Sequence, residues 1–144
     1  MKKLFGLGIV FIIVTAAQAQ CNRAITWNAS KTEYLDARGK VQSTESAPVT
    51  IKTTANHISV TAKAGDGAQE IIEGDIKNLQ CNWGDAFKNG RMSFTSALTK
   101  SSGETKNASV TIEAINGKIT VLVELANMQG MKMRIPIDDY KQVL

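Results

Sequence analysis

Apolar and polar residues alternate with a period of two along most of the chain beyond residue 20, the signature of strands with one buried and one wet face. Residues 109–125 carry the strongest instance. Val110, Ile112 and Ala114 alternate with polar neighbours, Asn116-Gly117 follows, and Ile119, Val121 and Val123 resume the pattern. Asn-Gly is the favoured two-residue hairpin loop because both positions of a type I′ turn need positive φ. With that loop, Ala114 faces Ile119, Ile112 faces Val121 and Val110 faces Val123. On the other face Glu113 meets Thr120, Thr111 meets Leu122 and Ser109 meets Glu124. A slip of one residue would turn the apolar set to solvent, so the register is strongly specified.

The same reasoning places the other strands. Residues 49–54 and 57–63 pair around Ala55-Asn56, with Ile51 opposite Val60 and Val49 opposite Ala62. Residues 70–76 and 77–83 read as one long or broken strand, bent or bulged at Gly74, with Leu79, Cys81 and Trp83 on one face. In residues 91–98, Met92, Phe94 and Leu98 share a side. Residues 131–137 alternate Met131, Met133, Ile135 and Ile137 with polar neighbours, after a loop through Asn127 and Gly130. Pro136 cannot donate to a ladder and marks a strand end or a sheet edge, so this run is the expected open edge. Asp138-Asp139 and the residues after them predict a short capped helical turn or a frayed tail. Residues 24–27 and 31–36 are strands in a less regular first segment. No eleven-residue window shows a 3.6-residue apolar period. About eight or nine strands joined by short turns predict an all-β antiparallel meander, barrel-like, with a two-sheet β-sandwich as the alternative. Residues 20–144 form one domain by length.

The first 19 residues have a different character. Lys2 and Lys3 precede an apolar stretch over residues 4–14, and Ala17 and Ala19 stand at the positions a signal peptidase reads. This predicts a cleaved signal peptide and export to the periplasm, the cell surface or the medium, with a bacterial look to the short basic start. The apolar stretch falls short of the roughly 20 residues that span a bilayer, and nothing later in the chain could span one. Losing Lys2 and Lys3 lowers the net charge from +4 to +2. The remaining Lys and Arg are scattered singly, without the clustered footprint of a nucleic-acid site.

Cys21 and Cys81 are the two cysteines, and in an oxidising compartment a pair predicts a disulfide. The rival readings are free thiols or a lipid-bearing Cys21, although Gln20 stands where lipid attachment wants a small residue.

Candidate chemistry is sparse. His57 is the single histidine and lies in phase with Ser59, Thr61 and Lys63, which points it to solvent. No G-x-S-x-G elbow and no C-x-x-C pair occurs, so neither a catalytic triad nor a histidine- or cysteine-rich metal site is expected, and no cofactor is implied. Asp66, Glu70, Glu73 and Asp75, with Asp138 and Asp139, are the densest acids. They read as solvated, since the calcium-loop spacing of alternating oxygens is not met. A carboxylate-only hydrolase would need two acids about 5–10 Å apart in a cleft and is the least expected function. Trp83, Phe94, Met92, Met131 and Met133 are the candidate wall of a ligand pocket, since aromatic and methionine side chains supply adaptable apolar surface. Met128 belongs to the same methionine set. Trp83 has a plainer role open to it, core packing against the disulfide. The expected function is therefore non-enzymatic binding of a small apolar ligand or an envelope partner. The alternative is a structural or interaction protein of the cell envelope. A core packed solid would exclude the small ligand.

Overall fold

The computed structural model describes residues 21–63, 66–85, 87–126 and 130–143. The signal-peptide reading of residues 1–19, and the expectations for Asn127 and Met128, lie outside the described residues. Twelve strands form: β1 (Ala24–Ala29), β2 (Thr32–Leu35), β3 (Val41–Glu45), β4 (Val49–Thr53), β5 (His57–Lys63), β6 (Gln69–Asp75), β7 (Lys77–Asp85), β8 (Asn89–Lys100), β9 (Thr105–Ile115), β10 (Lys118–Leu125), β11 (Lys132–Pro136) and β12 (Asp139–Val143). All belong to one antiparallel sheet, ordered β12-β1-β4-β5-β6-β8-β9-β10-β11-β2-β3, with β7 beside β8.

Twelve strands amount to eight runs of chain, because four runs are each broken once. β1 passes into β2 through Ser30-Lys31, β3 into β4 through Ser46-Ala47-Pro48, β6 into β7 through Ile76, and β11 into β12 through Ile137-Asp138. The β1–β2 run and the β11–β12 run lie side by side in one register, with Trp27 opposite Tyr140, Asn28 opposite Asp139 and Arg134 opposite Glu33. The first and last runs of the chain are thus neighbours. The hydrogen-bonded path starts at β12 and ends at β3 rather than closing as an unbroken ring. Chain continuity nevertheless brings the sheet back on itself, since a path from β1 through β4 to β11 arrives at β2.

Alternation builds these strands as the sequence requires. Met92, Phe94, Ser96 and Leu98 of β8 are buried, as are Ala108, Val110, Ile112 and Ala114 of β9. The β9–β10 register places Ala114 opposite Ile119, Ile112 opposite Val121 and Val110 opposite Val123. Asn116 and Gly117 both have positive φ, 50° and 81°, as their turn demands. In the β4–β5 hairpin Ile51 faces Val60 and Val49 faces Ala62.

Four expectations change. The run around Pro136 is not an open edge: β11 pairs with β10 on one side and β2 on the other. Pro136 ends the strand, the other of the two places its missing donor allowed. Asp139–Val143 is neither a helical turn nor a frayed tail but strand β12, held against β1. β3 is an additional strand with five exposed residues, so it has no apolar alternation to reveal it. The irregularity in the β6–β7 run sits at Asn78, not Gly74. Asn78 has φ 55°, and the pairing with β8 slips by one residue between Lys77 and Gln80, so the inward set passes from Ile72 and Ile76 to Leu79, Cys81 and Trp83. Gly74 serves a different purpose. A Cβ there would collide with Ser96 Oγ and lie 2.6 Å from the Ala97 carbonyl oxygen, so two backbones meet where only glycine fits.

Cys21 and Cys81 are disulfide-bonded, with Cα atoms 6.3 Å apart across 60 residues of sequence. The bond ties the segment before β1 to the middle of β7. Such a bridge is compatible with an oxidising compartment. No helix among the described residues is long and apolar enough to cross a membrane.

Replacing both cysteines with alanine should lower the unfolding free energy by about 4 kcal/mol on the chain-entropy estimate, read as an earlier urea midpoint that reductant no longer shifts. An unchanged midpoint would mean that β1 is anchored without the bridge. Gly74→Ala should cost about 1–3 kcal/mol, the usual range for overpacking, and calorimetry showing no loss would place the β6–β8 contact elsewhere.

Candidate ligand cavity

The inward face of the sheet is filled in two different ways. At one end aromatic side chains pack it solid. Trp27 of β1, Trp83 of β7, Phe87 of the β7–β8 turn and Tyr140 of β12 form a cluster. Ring centroids lie 5.8 Å apart for Trp27 and Phe87, 5.3 Å for Trp83 and Phe87, and 4.7 Å for Phe87 and Tyr140. The Trp27–Phe87 pair is edge-to-face at 71°, a favoured arrangement of ring quadrupoles. Trp27 Nε1 donates to Thr53 Oγ1 at 3.0 Å, which satisfies its buried N–H. Phe87 reaches this position with φ 54°, a conformation that costs energy for a residue with a Cβ and persists where surrounding contacts fix it. The turn is held down at two further points, Gly117 N–H to the Lys88 carbonyl at 2.9 Å and Asn116 N–H to Asn89 Oδ1 at 3.1 Å. The disulfide fastens the same end.

Towards the other end the interior is not filled. A cavity of about 500 Å³ lies among residues from β2, β3, β4, β5, β6, β8, β9, β10 and β11. That volume lies within the usual range for small-molecule sites. Its wall is mostly aliphatic: Val49, Ile51, Val60, Ile72, Val121 and Ile135 are representative. These are the alternating residues of neighbouring strands, which converge because the sheet curves back on itself.

Polar groups gather at the mouth, where β5 ends and β6 begins and where β8 turns into β9. Lys100 lies 3.7 Å from Glu70, and Lys106 lies 3.4 Å from Glu104. Lys63 also borders the opening and has no ion pair among the described residues. Across the cavity, on the β2–β3 wall, Tyr34 donates to Glu45 Oε2 at 3.0 Å. Burial, followed by the hydrogen bond to Glu45 and the charge of its carboxylate, raises the Tyr34 pKa above the ordinary 10.0. Thr32, two residues earlier on the same face, is buried and also lines the cavity.

Of the pocket residues expected from the sequence, Met133 lines this cavity, directly opposite Tyr34 in the β11–β2 ladder. Met92, Phe94 and Trp83 belong to the close-packed core; Met92 and Phe94 are on the same face of β8 as Leu98, which does border the cavity. Met131 is 46% exposed and borders shallow outer depressions instead. Thr32, Tyr34 and Glu45 were not expected. A lone Thr and Tyr in an irregular segment carry no signal until β11 and β3 flank them. His57 lies 3.5 Å from Asp75 across the β5–β6 pair, and both are well exposed. Among the described residues no group of three or more His, Cys, Asp or Glu stands close enough to hold a metal ion.

No family model, curated protein or solved structure matches this chain.

The raised Tyr34 pKa has a testable sign. The folded state retains a proton that the unfolded chain releases, so this contribution to stability is complete below about pH 10 and is lost as pH rises through the folded pKa. Tyr34→Phe should flatten the alkaline fall of the melting temperature. Parallel curves for the variant and the parent would show that Tyr34 is no more buried than a free phenol.

Proposed function

We propose that this chain is an exported, non-enzymatic binding protein that holds one small apolar or amphipathic molecule inside a barrel-like sheet. The carrying observation is the cavity of about 500 Å³, lined by nine strands, seven of which present aliphatic side chains to it. An apolar void is unfavourable to leave empty, because its lining forfeits dispersion contacts on one side. A hydrocarbon guest restores those contacts and leaves water in the same step. The aromatic end and the disulfide act as a fixed floor, and the charged residues at the opposite end form a wetted entrance. Export is supported by the basic, apolar and small-residue succession of residues 1–19 and by the Cys21–Cys81 bond.

The test is a homologous series of linear hydrocarbons competing with Nile red for the purified protein. Each added methylene should tighten binding about fourfold, following roughly 0.8 kcal/mol per buried CH₂, until the cavity is full and the gain stops. Ala62→Trp, which places a ring into the cavity wall, should abolish dye binding while preserving the circular dichroism of the parent. Dye binding that survives Ala62→Trp, or affinities independent of chain length, would remove the cavity from consideration.

A further inference from the structure

The polar atoms along the cavity are unevenly placed, and that distribution selects among ligand classes. Resting on the reading of the cavity as a ligand site, we infer that its natural guest is a neutral long-chain alcohol whose hydroxyl is held between Thr32 and Tyr34.

Thr32 is 8% exposed and lines the cavity. Its hydroxyl makes no hydrogen bond among the described residues, so it is free to donate to, and to accept from, a ligand in the cavity. Tyr34 stands two residues on, with its O–H already given to Glu45 at 3.0 Å. Its oxygen therefore retains lone pairs and has no proton to offer. Glu45 itself lies directly opposite Thr32 in the β2–β3 ladder. The patch thus presents a free hydroxyl, a second oxygen able only to accept, and a carboxylate beside them.

A ligand hydroxyl fits both requirements, accepting from Thr32 and donating to Tyr34. A carboxylate or phosphate can only accept, and it would meet the Tyr34 lone pairs and the Glu45 charge. The cations that could compensate are engaged across the opening, Lys100 with Glu70 and Lys106 with Glu104. Lys63, at the rim and without an ion pair among the described residues, is where an acid would go. An ammonium head would find Glu45 but would carry its charge to an aliphatic wall, at a large desolvation cost.

The experiment uses protein purified from expression of the full chain, with Nile red displaced in turn by decanol, undecane, decanoate and decylamine at neutral pH. Decanol should bind tightest, with decanoate weaker by about tenfold or more, the order of factor that one lost hydrogen bond produces. Thr32→Val, which keeps the shape and removes the hydroxyl, should weaken decanol by about five- to tenfold and leave undecane, which has no oxygen to accept from Thr32, unchanged. Thr32→Ser should restore decanol binding, which separates loss of the hydroxyl from any fault in folding. Decanoate or decylamine binding as tightly as decanol would overturn the assignment, as would a Thr32→Val variant that weakens decanol and undecane equally. Failure of the parent protein to bind Nile red or undecane at all would instead remove the cavity reading on which the inference rests.

Discussion

The pairing of the first run of strands with the last is the constraint on which the structure depends. β1 and β2 lie against β12 and β11 in one register, so segments from opposite ends of the described chain share backbone hydrogen bonds. Without that ladder the meander would have two long unpaired edges, a template for association with other chains. It would also have no interior, because the aliphatic faces of β4, β5 and β6 would not meet those of β10 and β11. Joining such distant segments costs chain entropy, which the ladder's hydrogen bonds and the burial behind it must offset. The Arg134–Glu33 pair across β11 and β2 contributes there.

The two ends of the interior show how one inward face can serve two purposes. Where Trp27, Trp83, Phe87 and Met92 project, side-chain volume fills the space between strands. Where Val49, Val60, Ala62, Ile72 and Val123 project, smaller side chains leave it open. The disulfide and the Phe87 turn belong to the filled end, which concentrates the fixed elements away from the cavity. A filled, disulfide-tied end and an ion-paired rim at the opposite end are the features that the proposed binding role draws on.

Hydrophobic patterning made the fold legible and the site obscure. The β9–β10 register followed from Asn116-Gly117 and the period of two, because a turn with two positive φ angles admits a single pairing and burial forbids a slip. The breaks at Ser30-Lys31 and Ile137-Asp138 were not legible. The inward parity changes at both together, from Trp27 to Thr32 and from Ile135 to Tyr140, so the ladder continues while each sequence alone reads as irregular. β3 offered no alternation, and β12 looked like a tail, since each is stabilised by its partner strand rather than by a pattern of its own.

The sequence by itself determined that this chain makes antiparallel sheet, which residues of its regularly alternating strands turn inward, and that it has two cysteines to pair. These are local properties, set by side-chain period, turn chemistry and composition. Only the tertiary structure decided which inward residues would touch and which would border a void. Met92 and Met133 have the same chemistry and the same alternating context, yet one is buried in the close-packed core and the other lines the cavity. The difference lies in the curvature of the sheet and in the volumes arriving from strands far away in sequence, which no single segment encodes.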